Sequence, residues 1–301
     1  MSSLERARVL SQAHELFTIA STVGEQIAQL TGRLRFLEEI PAVGDWVTVT
    51  PTDPPLITGI EPRTSCFTRM DPGGGTQVLA ANIDVAFLVC GLDADFNPNR
   101  LDRYLVQARQ SGARPVVVLN KADLRAEIPA LALDVPVVAL SALHGNLGAM
   151  CEHVKPGETA ALFGSSGVGK STIVNRLLGR ELQATGVVPG RHVTTARRLI
   201  ALEFGWWVLD MPGLRELSLD ASAAAVEDAF ADINGAACRY RDCQHQDEPG
   251  CAVRDQVAPE RLASFQKLRR EPAYAVRKEN PNAARAEKER WKKIHKAMRQ
   301  R

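Results

Sequence analysis

The 301 residues are 45% apolar and 24% charged, ordinary proportions for a folded soluble chain with room for about two domains. No run of 18 apolar residues exists, so a membrane-spanning helix is excluded, and the opening MSSLERARVL lacks the apolar core of a signal peptide. The net charge of +2 conceals an asymmetry: positions 267–301 hold 13 Lys/Arg against 4 Asp/Glu, while the rest of the chain holds 24 basic against 31 acidic residues. A basic tail on a mildly acidic body is expected either to meet a polyanion, nucleic acid before membrane, or to form a solvated helical face. A cytoplasmic, monomeric protein without a membrane partner is the expectation.

Positions 7 to about 70 read as all-β. Short alternating stretches at 16–20, 26–36, 45–49 and 56–60 are punctuated by Gly24, Pro41, Gly44, Pro51, Pro54 and Pro55. About five strands in this length fit a small barrel. An OB-fold is the commonest such solution, and pattern alone does not separate it from an SH3-like barrel. The segment DPGGGTQVLA at 71–80 reads as a Gly-rich linker. Apolar runs at 85–90, 116–119, 135–140 and 159–163 then alternate with helical spacing at 100–110 and 147–154, and a further helix is expected from Lys170 to Leu178. Strands alternating with helices predict a parallel sheet covered on both faces, to which 199–204 and 206–209 add two strands. Helical spacing returns at 221–233. The predicted organisation is an α/β protein: an OB-fold barrel at 1–75, an α/β domain at 76–220, and an α-helical metal-binding domain with a basic tail at 221–301.

The run Gly164-Ser165-Ser166-Gly167-Val168-Gly169-Lys170-Ser171, followed by Thr172, matches the phosphate-binding loop. Backbone N–H groups must turn inward around phosphate oxygens, and glycine tolerates both the dihedrals and the close approach. Lys170 can reach the β- and γ-phosphates, the Ser171 hydroxyl can ligate Mg²⁺, and the helix that begins there offers its positive end.

Asn120-Lys121-Ala122-Asp123 follows the apolar run PVVVL. A carboxylate at Asp123 can accept two hydrogen bonds from guanine N1–H and its 2-amino group, a donor pair adenine lacks. Asn120 would touch the base edge and tie its loop to the phosphate loop, and the Lys121 stem would cover the base face. Ser141 and Ala142 follow the next strand and can place a backbone N–H on guanine O6. Asp210, with Gly213 three residues on, ends the run WWVL; the carboxylate would hold Mg²⁺ through water and the glycine N–H would sense the γ-phosphate. In the intervening GRHVTT, Thr194 or Thr195 would cap Mg²⁺, and spacing does not decide between them.

The order of these motifs is unusual. Ordinary GTPases place the phosphate loop first and the base-reading motifs last, whereas here the latter come first. The chain reads as circularly permuted, with the γ-phosphate-sensing loop leading directly into the C-terminal domain. Many GTPases place Gln after the DxxG glycine to orient water; Leu214 stands there and cannot do so, leaving His192 as the nearest candidate to assist hydrolysis. That substitution keeps open a protein that uses GTP and GDP only as conformational ligands. A phosphate loop alone also fits an ATPase or kinase, against which Asp123 argues.

Cys238-x4-Cys243-x-His245-x5-Cys251 offers three thiolates and an imidazole within 14 residues, a full Cys₃His set for one structural Zn²⁺. Pro249-Gly250 supplies the tight turn a metal knuckle needs. Cys66, Cys90 and Cys151 read as core residues.

With these residues in view, the chain resembles the RsgA/YjeQ family of ribosome-small-subunit-dependent GTPases. The resemblance runs through GRLRF, PAVGDWV, QVLAANID, FLVCGLD, NKAD, GSSGVGKST, GRHVTT, WWVLDMPG and the Cys₃His window. It implies an OB-fold, a permuted GTPase domain and a zinc domain. It also implies binding to the 30S subunit late in its maturation, contact with 16S rRNA, and release coupled to GTP hydrolysis. Met211 departs mildly from the family pattern, and the barrel is short.

Overall fold

The computed structural model describes residues 4–70, 76–94, 96–131, 133–179, 197–210, 222–234, 236–240, 243–246, 248–254 and 256–279. The chain divides into two compact units, Met1–Ser218 and Leu219–Arg301.

The first unit begins with β1 (Glu5–Ala13), β2 (Leu16–Ser21), β3 (Gly24–Leu30), α1 (Gly32–Phe36), β4 (Trp46–Thr50) and β5 (Leu56–Ile60). Pairing runs β1-β2-β3-β5-β4, and β4 returns to β1, closing a five-stranded barrel. A closed five-strand circuit with a helix between its third and fourth strands is the OB arrangement. Period two fills the interior: Ala7 and Val9, Phe17 and Ile19, Ala28 and Leu30, Val47 and Val49 all point into one core, plugged by Leu34 of α1. The stretch 26–36, read above as extended throughout, divides at Thr31, where β3 gives way to the short helix that carries the plug.

A hairpin of β6 (Cys66–Met70) and β7 (Thr76–Ala81) follows. The expected linker at 71–80 is corrected here from Thr76 onward: Leu79, Ala80 and Ala81 are buried and Phe67 stacks on Phe163 with ring centroids 4.5 Å apart, so apolar burial overrides the glycine signal.

The α/β region comprises β8 (Val85–Gly91), α2 (Pro98–Ser111), β9 (Arg114–Asn120), a 3₁₀ turn (Ala122–Leu124), β10 (Val137–Ala139), α3 (Gly148–Cys151), β11 (Thr159–Phe163), α4 (Lys170–Leu177), β12 (Arg198–Ala201) and β13 (Trp207–Asp210). The strand order is β10-β9-β8-β11-β13-β12. The first five are parallel, and β12 is antiparallel to β13. The all-parallel expectation fails at β12 because residues 202–206 are too few for a crossover and permit only a hairpin. The strands carrying Val85, Phe87, Val89, Val116, Val118 and Ala160 form a core that receives Ile173, Val174 and Leu177 from α4.

Barrel and α/β sheet are continuous. Ser11 of β1 pairs with Arg198 of β12, giving one eleven-stranded sheet. At this seam Arg8 is buried, and it donates to Thr159 Oγ1 at 2.5 Å, to the Asn82 carbonyl at 3.2 Å and to the Gly44 carbonyl at 3.5 Å. It lies near the rings of Trp46 and Trp207. Burial pushes its guanidinium down to about 10, against the opposing pull of the Asp84 carboxylate.

The second unit holds α5 (Ala223–Ala229), α6 (Ala231–Asn234) and α7 (Pro259–Glu279). Phe230 packs on Phe265 with centroids 5.2 Å apart, and Arg261 forks onto Asp232 at 2.7 and 2.8 Å. Among the described residues no helix is long and apolar enough to cross a membrane.

Candidate nucleotide site and metal cluster

Strand β8 lies between β9, which ends in Asn120, and β11, which ends at the phosphate loop. Two strand spacings place those ends roughly 10 Å apart at one edge of the parallel sheet, a span suited to a base at one side and phosphates at the other.

The phosphate loop leaves β11 at Gly164, whose φ is +151°, and enters α4 through Gly167 at +80° and Gly169 at +98°. A Cβ at Gly164 would run into the Val89 carbonyl, and one at Gly169 into the Asn120 amide. Both glycines are therefore required by close approach as well as by dihedral. Lys170 Nζ donates to the carbonyls of Gly164 and Ser165 at 2.7 and 2.6 Å, folding its side chain back over the loop. Ser166 and Val168 complete the loop, with Val168 buried. Ser171 and Thr172 follow Lys170 in the first turn of α4, Ser171 exposed.

Asn120 joins the halves. Buried at 2% exposure, it donates from Nδ2 to the Val168 carbonyl at 2.8 Å and accepts at Oδ1 from Ala142 N–H at 2.8 Å. Lys121 adopts a left-handed conformation, φ +62°, which turns the chain into the 3₁₀ turn that carries Asp123. The Ser141 hydroxyl hydrogen-bonds Asp123 and holds its carboxyl below the usual range. Motifs 44 residues apart along the chain, from Asn120 to Gly164, thus meet in one hydrogen-bonded circuit.

Three side chains that sequence reading passed over also act here. Arg176 of α4 donates to the Ala142 and Gly145 carbonyls at 3.1 and 2.7 Å, pinning the Ser141–Ala142 loop. Lys121 Nζ meets Asp93 Oδ2 at 2.5 Å. Arg100 of α2 reaches Ser165 Oγ at 2.7 Å. Asp93 ends the FLVCGLD segment noted above, but nothing in the sequence pairs these side chains with their partners. His192, Thr194, Thr195 and Gly213 lie outside the described residues, as does the side chain of Asp210, whose backbone ends β13.

In the second unit, Cys238, Cys243, His245 and Cys251 bring their ligand atoms within 4.8 Å of one another. His245 Nδ1 lies 3.6 Å from Cys238 Sγ and 3.5 Å from Cys251 Sγ. A tetrahedral zinc with Zn–S of about 2.3 Å and Zn–N of about 2.05 Å requires a sulfur–nitrogen edge near 3.6 Å, so the donor set fits zinc. His245 takes φ +57°. The Glu248 carboxylate accepts from the N–H groups of Gln244 and Gln246 on either side, and Gln266 donates to the His245 carbonyl.

A profile of the RsgA GTPase family matches residues 60–220, more than half of the chain. The Small ribosomal subunit biogenesis GTPase RsgA of Opitutus terrae is 45% identical, over 98% of this chain and 91% of its own length. The chain belongs to the RsgA GTPase family. The Small ribosomal subunit biogenesis GTPase RsgA 1 of Listeria innocua is 38% identical over 97% of this chain and 90% of its own. Among solved structures, YjeQ from Thermotoga maritima superposes with a TM-score of 0.70 at 25% identity, covering 90% of this chain and 99% of that one. YloQ, described as a circularly permuted GTPase, shares the fold with a TM-score of 0.64 at 21% identity over 91% and 96%. An ABC transporter profile also matches, over residues 148–299. That span takes in the phosphate loop, a feature common to many nucleotide-binding proteins, and omits Asn120–Asp123, whereas the RsgA profile takes in both. As an RsgA-family chain it carries the GTPase fold in permuted order, and the family implies GTP or GDP with Mg²⁺.

Proposed function

We propose that this chain is a GTP-hydrolysing assembly factor for late maturation of the 30S ribosomal subunit, binding 16S rRNA and leaving on hydrolysis. The supporting observation is the Val168–Asn120–Ala142 circuit, with Asp123 held by Ser141, in a chain whose relatives are named as small-subunit biogenesis GTPases. In this reading the barrel and basic tail (1–75 and 221–301) grip RNA, and 76–220 reads the nucleotide.

Asp123 accepts from the guanine edge, Lys121 covers the base, and the Ser141–Ala142 backbone meets O6. Gly164–Gly169 wrap the phosphates with N–H groups and Lys170 neutralises the β/γ side. Ser171, Asp210 through water, and Thr194 or Thr195 would hold Mg²⁺, which supplies charge neutralisation at the transferred phosphoryl group. Cys238, Cys243, His245 and Cys251 would hold one Zn²⁺, which cross-links the knuckle. The factor works as a cytoplasmic monomer.

Phosphate release from GTP, measured with and without purified 30S subunits, tests the proposal. Strong stimulation is expected. Negligible turnover in both arms, with nucleotide-dependent binding to the subunit retained, favours the alternative that Leu214 keeps open, in which GTP and GDP act only as conformational ligands. His192→Ala in the stimulated reaction then decides whether His192 assists water: unchanged turnover removes it.

A further inference from the structure

Arg100 is placed against electrostatic expectation. It is the third residue of α2, whose first turn holds no acidic residue. A cation there meets the positive end of the helix dipole, which disfavours it. A specific compensating contact is present: its guanidinium donates to Ser165 Oγ at 2.7 Å. Tyr104, four residues on and so on the same helical face, brings its hydroxyl to 3.4 Å from the same oxygen. The ring of Tyr104 is buried, which holds its hydroxyl in place beside Ser165.

Ser165 is held a second time through its carbonyl, which accepts from Lys170 Nζ at 2.6 Å. The second residue of the phosphate loop is therefore gripped through its side chain by Arg100 and through its backbone by the lysine that faces the phosphates. A displacement of Ser165 moves the carbonyl on which Lys170 rests. The residues just after β8 hold the base side, where Asp93 binds Lys121 and the Leu92 carbonyl accepts from Arg125.

We propose that Arg100 is a positioning residue of the phosphate loop, acting on nucleotide binding and hydrolysis through Ser165 and Lys170. This rests on the nucleotide reading proposed above and extends it to a helix that none of the nucleotide motifs includes. Arg100 acts on the loop through Ser165, so its influence falls on phosphate recognition and leaves base selection alone.

The test titrates the full-length chain with fluorescent GDP and compares wild type, Arg100→Ala, Arg100→Lys, Ser165→Ala and the Arg100→Ala/Ser165→Ala double variant, each checked for an unchanged melting temperature. A lost charge-assisted hydrogen bond predicts that Arg100→Ala weakens GDP by about tenfold. The GDP-to-IDP affinity ratio should stay at the wild-type value, since the 2-amino contact is untouched. Arg100→Lys should recover part of the loss, and in the Ser165→Ala background removal of Arg100 should cost far less than in wild type. Wild-type affinity in Arg100→Ala overturns the proposal. So does an equal loss in both backgrounds, or a loss accompanied by a collapsed GDP-to-IDP ratio. If Arg100→Ala fails to fold, Arg100→Lys and Ser165→Ala carry the decision: both binding like wild type overturns it. A wild-type chain that does not bind GDP is a different failure and sinks the nucleotide reading itself.

Discussion

The Asn120 side chain donates to the carbonyl of Val168 at 2.8 Å, across 48 residues of sequence. Its other end accepts from Ala142. Removing the amide leaves a buried carbonyl and a buried N–H without partners, at about 1–3 kcal/mol each. Asn120→Ala should therefore lower the melting temperature and weaken GDP at least tenfold. Calorimetric titration beside a thermal melt checks this, and retention of both values would remove Asn120 from the joint.

Gly167 and Gly169 separate two requirements that glycine usually meets together. Both have positive φ, but a Cβ at Gly167 meets nothing within 4 Å, while one at Gly169 strikes the Asn120 amide. Gly167→Ala should cost only the left-handed backbone penalty, about 1–2 kcal/mol. Gly169→Ala should displace Asn120 as well and abolish GDP binding at concentrations that saturate Gly167→Ala. Equal affinities in the two variants would show that packing at Gly169 is irrelevant.

Asp123 predicts a flat pH response. Its carboxyl is lowered by the Ser141 hydroxyl. For a carboxylate with a depressed folded value, the favourable contribution is complete above the ordinary carboxylate range and is lost only as pH falls through the lowered value. Guanine affinity should hold constant from neutral pH to about 5, well above the ordinary aspartate range. Ser141→Ala should move the Asp123 titration upward, measured by carboxyl carbon NMR. Asp123→Asn presents an amide donor that matches the 2-carbonyl of xanthine, so preference should pass from GTP to XTP in a hydrolysis assay.

Metal removal should act on the second unit. One zinc per chain is expected by elemental analysis, and Cys251→Ser should lose it, whereas Cys151→Ala, remote in sequence from the cluster, should keep it. Glu248→Gln should weaken zinc by about 10–100-fold through the turn around His245, read by competition with a chromogenic chelator. Wild-type zinc affinity in Glu248→Gln would show that the turn holds without it.

At the seam, Arg8→Met removes the donor shared by Thr159, Asn82 and Gly44. The expected loss is about 2–4 kcal/mol in denaturant unfolding, since buried acceptors are left behind. A variant as stable as wild type would show that apolar packing between Trp46 and Trp207 suffices.

Legibility in the sequence followed how local each signal was. The stretches at 56–60 and 159–163 coincide with strands to the residue because apolar patterning and flanking turns agree there. The first strand, inside the region read as all-β, offers no alternation of its own because Ala7, Arg8, Val9 and Leu10 are all buried: one face fills the barrel and the other is covered. Thr76–Ala81 was hidden by the glycines before it. Among nucleotide residues, the loop and the Asn120–Asp123 motif declare themselves by fixed spacing. Arg176, Asp93 and Arg100 do not, because their partners lie 28 to 65 residues away and only the folded sheet pairs them.

Strand β12 has one neighbour in the barrel and another in β13. Two residues separate Arg198, moored to Ser11, from Thr195 in the GRHVTT segment. A load applied to β1 therefore passes through that single pairing into β12 and on to β13. In the proposed reading, a particle docked on the barrel and a nucleotide in the pocket would share that one anchor, without a messenger between them.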